Sequence, residues 1–176
     1  KSSIGFKMNI VVKDNFLTNE EVKKAYNHLY KQQWVIVTDI NENPLTAVNK
    51  RKSFGRNISV GTKEFEQDFV IKYFADKIRR LNLPGARELC KVYFNCVKPG
   101  EKFDFHKDQT GLSVLLYCNP VWKSWWSSGT QFENKIVRIK PGRAIFFEGQ
   151  IPHRCIAPNR FMNDFGRLSM VFQYYR

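Results

Sequence analysis

Two textures divide the chain. Between about residues 15 and 87 apolar positions recur at helical spacing, and from about residue 88 they fall into short β-branched and aromatic runs separated by turn formers. The stretch LTNEEVKKAYNHLY predicts the first helix. Thr18 stands where an N-cap belongs, Glu21 three residues later completes a capping box, and Leu17 and Val22 suit a hydrophobic staple. Val22, Ala25, Tyr26, Leu29 and Tyr30 then share a buried face, with His28 beside it. WVIVTDI (34–40) reads as a strand and NENPLTAVNKRKSFGRNISVG (41–61) as a long polar excursion. A second helix is expected over KEFEQDFVIKYFADKIRRLN (63–82), burying Phe65, Phe69, Ile71, Phe74 and Ile78 and stopped by LPG.

The later runs are ELCKVYFNCV, GLSVLLYCN, TQFEN, KIVRI, AIFFEG and RLSMVFQYY, and two of the connections use KPG, at 98–100 and 140–142. Pro followed by Gly suits a tight turn. Many short strands preceded by helices predict an α+β, mainly β architecture: a jelly roll or sandwich buttressed by the N-terminal helices. At 176 residues, with neither linker nor repeat, the chain reads as a single domain over 1–176, with helical support about 15–87 and a β core about 88–176.

Composition narrows the class. A hydrophobic content of 43% with 15% aromatics excludes a disordered chain. Lys and Arg outnumber Asp and Glu by 29 to 16, a net charge of +13 that favours polyanions, acidic peptides or small dianions without choosing among them. The basic residues are spread out, apart from NKRKSFGR (49–56). Cys90, Cys96, Cys118 and Cys155 form no C-x-x-C pair, which suits reduced thiols, and Cys155 reads as a buried thiol. Neither a leader nor a membrane-length apolar run is visible, so a soluble, intracellular protein with no membrane partner is expected.

The chemistry sits in FDFHKDQTG. Alternate residues of an extended segment point the same way, so His106 and Asp108 can reach one ion while Lys107 points elsewhere. His153 follows the strand AIFFEG, and in a jelly roll these segments can meet at one mouth of the barrel. Two imidazoles and a carboxylate with open positions make the facial triad of a non-haem Fe(II) oxygenase. Arg167, on the last strand with Ser169 on its face, offers a fork that binds a carboxylate through two parallel bonds.

H-x-D, a distal His and R-x-S in this order resemble the signature of the Fe(II)/2-oxoglutarate-dependent dioxygenases. VKPGEKFDFHKD followed by GLSVLLYCNPVWKSWWSSGTQF is similar to the prolyl 4-hydroxylase-like branch, over roughly residues 88–176. Tyr117-Cys118-Asn119 and Trp122 match that branch. Ser128 stands where it often has a glycine, and Val97 where many relatives carry a tyrosine. The resemblance implies that His106, Asp108 and His153 ligate Fe(II) and that Arg167 pairs with the distal carboxylate of 2-oxoglutarate. Tyr117 or Ser169 would donate to that carboxylate, and Tyr93 and Asn95 would line the pocket. It further implies O2 as cosubstrate, ascorbate as an accessory reductant, succinate and CO2 as products, and hydroxylation of a C–H bond.

Three functions follow as expectations. The first is hydroxylation of a prolyl residue in a protein or peptide. The second is a nucleic-acid oxygenase of the repair-demethylase kind, which the +13 charge and the basic stretch 50–56 would serve. The third is a non-catalytic jelly-roll binding module, against which the intact set of His106, Asp108, His153 and Arg167 argues. Trp122, Trp125 and Trp126 are read either as a lid that stacks on substrate or as a plug closing the end of the sandwich.

Overall fold

The computed structural model describes residues 10–32, 34–37, 53–84, 86–108, 110–162 and 166–175. In chain order the elements are β1 (Val11–Lys13), α1 (Asn19–Tyr30), β2 (Val35–Val37), β3 (Ser53–Ser59), α2 (Lys63–Gln67), α3 (Phe69–Arg79), β4 (Leu89–Val97) and β5 (Leu112–Tyr117). A 3-10 turn (Ser124–Trp126) follows, then β6 (Gly129–Phe132), β7 (Lys135–Arg138), β8 (Ala144–Glu148), β9 (His153–Ile156) and β10 (Arg167–Tyr174). Seven strands form a large sheet in the order β1-β8-β5-β10-β4-β3-β2, and three form a small one in the order β7-β6-β9. Every pairing is antiparallel. The result is the expected jelly roll buttressed by helices.

Two apolar layers lie on opposite faces of the large sheet. Leu112, Val114, Leu116, Leu168, Met170 and Phe172 pack toward the helices, against Val22, Ala25, Leu29, Ile71, Phe74 and Ile78. Leu115, Tyr117, Ile145, Phe147 and Val171 point the other way, into the barrel, to meet Phe132 and Val137 of the small sheet. Because both faces are covered, β5 and β10 are buried along their whole length and are mostly apolar, with Ser113, Arg167, Ser169 and Gln173 as buried polar exceptions.

The capping box of α1 forms as expected: Thr18 N–H donates to Glu21 Oε2 at 2.7 Å and Glu21 N–H to Thr18 Oγ1 at 3.2 Å. Leu17 N–H donates to Gly142 O at 3.0 Å, which docks the helix start on the second KPG turn. Gly142 has φ +71°, and a Cβ there would lie 2.5 Å from Leu17 O, so no other residue fits.

Several elements depart from expectation. The second helix is two, α2 and α3, because Asp68 takes an extended conformation and accepts from Val70 N–H and Ile71 N–H as the N-cap of α3. The break changes the helical phase, so Phe69 is 81% exposed while Ile71, Phe74 and Ile78 are buried. Tyr30 is exposed and stacks on Tyr26. β3 forms inside the expected polar excursion, and β1 and β9 are strands where none was predicted. Residues 38–40 of the expected first strand and 41–52 of the excursion lie outside the described residues. All four cysteines are free, and burial pushes the Cys118 thiol up to about 12. Among the described residues no helix is long and apolar enough to cross a membrane.

Candidate functional site

His106 lies outside the named strands but pairs with β9 through one bridge: His106 N–H donates to His153 O at 2.9 Å and His153 N–H to His106 O at 3.0 Å. Two residues on, Asp108 N–H donates to Gly149 O at 2.7 Å, and Gln150 Nε2 donates to Asp108 O at 2.9 Å. Gly149 permits this approach, since a Cβ there would meet Thr110 O at 2.5 Å and Asp108 Cβ at 3.1 Å. The H-x-D segment is thus laid along β9 and the turn before it, which brings its two side chains to His153.

The ligand atoms of His106, Asp108 and His153 all lie within 4.8 Å of one another. His106 Nε2 is 4.0 Å from Asp108 Oδ1, and His153 Nε2 is 3.8 Å from Asp108 Oδ2. Each imidazole turns Nδ1 toward a backbone carbonyl, His153 to Ile151 O at 2.8 Å and His106 to Asp104 O at 3.5 Å. That arrangement directs both Nε2 atoms to the carboxylate, the orientation that metal-ligating histidines need. Asp108 Oδ2 also accepts from Ser113 Oγ at 2.5 Å. Burial lowers the His153 pKa, against the pull of Asp108, which favours the neutral imidazole that a metal requires. Phe147 stands 4.7 Å from the His153 ring and Phe132 6.1 Å, forming an apolar wall. The His106 side chain is 57% exposed and marks the side open to solvent.

Across the barrel interior, Ser169 pairs with Tyr117 on β5 and with Asn95 on β4, while Val171 pairs with Tyr93. Tyr93, Asn95, Tyr117, Arg167 and Ser169 therefore share the face that looks into the barrel. Arg167 is only 2% exposed. Its Nη1 donates to Gly129 O at 2.7 Å and to Cys155 Sγ, and its Nη2 to Thr130 Oγ1 at 3.2 Å. Among the described residues its Nε is buried without a hydrogen-bond partner. The Tyr117 hydroxyl shares Thr130 Oγ1 at 2.9 Å and donates to Val137 O at 3.2 Å. Burial raises the pKa values of both Tyr117 and Cys155, so each meets Arg167 in its neutral form.

Asn119 explains the Tyr-x-Asn pattern. Its Nδ2 donates to Gly166 O at 2.9 Å and its Oδ1 accepts from Leu168 N–H at 2.8 Å, so it ties the end of β5 to both neighbours of Arg167. The tryptophan loop follows that end of β5, away from the Ser113 end where Asp108 sits. Trp126 is buried, Trp122 packs against the barrel-side core and its Nε1 donates to Ser127 O, while Trp125 is 63% exposed beside Lys123. Ser128 adopts φ +83°, the conformation a glycine takes most readily.

Ser113, Thr130 and Gly149 were not among the predicted site residues. The two hydroxyls lie on strands whose apolar neighbours mask them, and only Gly149, ending AIFFEG, carried a local turn signal. His28 lies away from the site as expected, paired with Asp68 at 2.9 Å. In the basic stretch 49–56, residues 49–52 lie outside the described residues. Arg56 is committed to Glu64 and Gln32, leaving less free charge for a polyanion.

No family model matches the chain, and no curated protein matches it. Among solved structures it is similar to a Pseudomonas putida prolyl-4-hydroxylase, with TM-score 0.69 and 19% identity, covering 95% of this chain and 92% of that one. It is also similar to a Trichoplax adhaerens prolyl hydroxylase in complex with a hypoxia inducible factor oxygen degradation domain peptide fragment, with TM-score 0.65, 21% identity, and coverage of 94% and 83%. A third is the viral collagen prolyl hydroxylase of Paramecium Bursaria Chlorella virus-1 in its 2OG complex, with TM-score 0.60, 19% identity, and 98% of each chain covered. At these identities the likeness establishes the fold.

Proposed function

We propose that the chain is an Fe(II)- and 2-oxoglutarate-dependent dioxygenase that hydroxylates a prolyl residue in a peptide or protein. The observation that carries this reading is the convergence of His106, Asp108 and His153 within 4.8 Å, on the fold of the neighbouring prolyl hydroxylases. The donor set fits a ferrous ion: two imidazoles present Nε2 because Nδ1 is turned away, and one carboxylate completes a face. When bound, the iron supplies the O2 chemistry that converts 2-oxoglutarate to succinate and CO2 and places one oxygen atom in a substrate C–H bond.

The side chains orient the reactants. Arg167 offers a buried, unpartnered Nε–H that the distal carboxylate of 2-oxoglutarate would satisfy, and a buried donor left unmet costs about 1–3 kcal/mol. Ser169 stands beside it as a further donor, Tyr117 would join it only by turning its hydroxyl from Val137 O, and Tyr93 and Asn95 extend the wall. Phe147 and Phe132 keep water from the His153 side. Substrate would approach past the exposed His106. The peptide fragment held by the Trichoplax neighbour supports a peptide in that place.

The test is succinate formation from 2-oxoglutarate under air with Fe(II) and ascorbate, by wild type and His153→Ala. Mass spectrometry would run in parallel for the gain of one oxygen on proline-containing peptides and on single-stranded oligonucleotides. Succinate from wild type alone, with the oxygen on proline, is the expected result. Equal activity in both proteins would overturn the ligand assignment, and oxygen found only on the oligonucleotides would overturn the substrate.

A further inference from the structure

The carboxylate of Asp108 has a partner that the ligand set does not require. Ser113 is fully buried in the middle of the large sheet, on the side of β5 that carries Leu115 and Tyr117 into the barrel. Burying a hydroxyl among apolar neighbours is costly unless it is hydrogen-bonded, and here it donates to Asp108 Oδ2. The other bonds of Asp108 are made by its backbone, to Gly149 O and from Gln150 Nε2. They fix where the residue sits. They do not fix how the carboxylate turns, because rotation about its last bond is soft and roughly two-fold.

We infer that Ser113 is a positioning residue for the metal centre: it holds Oδ2, sets the plane of the Asp108 carboxylate, and leaves Oδ1 turned toward His106. The inference rests on the reading of His106, Asp108 and His153 as metal ligands. Ser113 matters more because His106 is loosely held, with its side chain 57% exposed and its Nδ1 3.5 Å from the nearest carbonyl. The pinned carboxylate and the buried His153 form the rigid part of the site. Outer partners of this kind change metal affinity roughly 10- to 100-fold when removed.

Titration of the full chain with Mn(II), followed by the electron paramagnetic resonance signal of the free ion, gives a dissociation constant without turnover. Wild type, Ser113→Ala and Asp108→Ala are compared, with the thermal midpoint of each metal-free protein recorded alongside. Ser113→Cys, somewhat larger and only a weak donor, replaces the alanine variant if that one loses its fold. The expected result is Mn(II) binding weakened roughly 10- to 100-fold in a Ser113 variant whose metal-free midpoint shows that it is folded at the titration temperature. Wild-type affinity in a folded Ser113 variant would overturn the inference while leaving the metal centre intact. Mn(II) binding no tighter in wild type than in Asp108→Ala would overturn the metal centre itself, and the inference with it.

Discussion

The guanidinium of Arg167 lies over the ring of Tyr117, 5.1 Å from its centroid, and both side chains hydrogen-bond to the Thr130 hydroxyl. The cation is therefore held by a neutral aromatic face and neutral hydrogen-bond acceptors, with no carboxylate bonded to it among the described residues, and it keeps its charge available to an anion. Arg167→Ala is expected to weaken 2-oxoglutarate binding roughly 10- to 100-fold, the loss that one charge-assisted hydrogen bond of about 1.5–3 kcal/mol implies. Mn(II) affinity should be unchanged, because none of the bonds of Arg167 reaches the His106, Asp108 and His153 group. Calorimetric titration of the Mn(II)-loaded protein with 2-oxoglutarate, beside the metal titration, checks both halves. Equal weakening of metal and cosubstrate would count against the assigned role.

Gly149 tests how the H-x-D segment is placed. In Gly149→Ala the added methyl would sit 2.5 Å from the backbone oxygen of Thr110, so either Thr110 or the turn must move. Overpacking of this kind costs about 1–3 kcal/mol. Since Asp108 N–H is bonded to Gly149 O, the shift is transmitted to the carboxylate. The expected outcome is a lower urea midpoint together with weaker Mn(II) binding. A variant with wild-type values of both would show that the turn has room to spare.

What was legible in the sequence depended on burial. β5 and β10 are covered on both faces, so LSVLLY and RLSMVFQY stand out as apolar runs. β3 was hidden because SFGRNIS contributes Ile58 to the core while Asn57 and Ser59 face out, and β9 because HRCI spends its inward positions on His153 and Cys155. The break at Asp68 was masked by apolar spacing that runs straight through it. Of the candidate site, His106, Asp108, His153 and Arg167 were readable because residue type and order carry the chemistry. Ser113 and Thr130 were not, since a hydroxyl on an apolar strand gains meaning only when the fold shows what lies opposite.

Asp68 carries two separable roles. One oxygen caps α3 through Val70 and Ile71, each at 3.0 Å, and the other meets His28 Nε2 at 2.9 Å. Burial alone would raise the Asp68 pKa, but His28 and the helix amides outweigh it and hold the carboxyl below its ordinary value. Asp68→Ala loses both roles and should cost about 1–2 kcal/mol from the cap alone. Asp68→Asn keeps the cap and should cost less. Urea unfolding of the two variants, each with and without His28→Ala, checks this: the His28 substitution should matter less once Asp68 is gone. Identical losses for Asn and Ala would mean that the cap contributes nothing.

Glu21 provides a pH signature. It is buried on α1, with Lys77 Nζ 2.6 Å from both of its oxygens, the Tyr73 hydroxyl donating at 2.6 Å and Thr18 N–H at 2.7 Å. Burial pushes its pKa up, and these donors together more than reverse that, bringing it from 4.5 down to about 2. A depressed carboxylate binds its proton less readily in the folded state than in the unfolded one, so its stabilisation is complete above about 4.5 and is lost as the pH falls toward about 2. Asp14 is also lowered to about 2, first by its bond to Arg143, but that cluster lies at the surface, where salt screens it. The urea midpoint of wild type should therefore fall over this acid interval. Glu21→Gln should begin lower at neutral pH and decline less steeply, with the difference between the two proteins persisting in about 1 M salt. Parallel curves for the two proteins would show that Glu21 is not the titrating group that links α1 to α3.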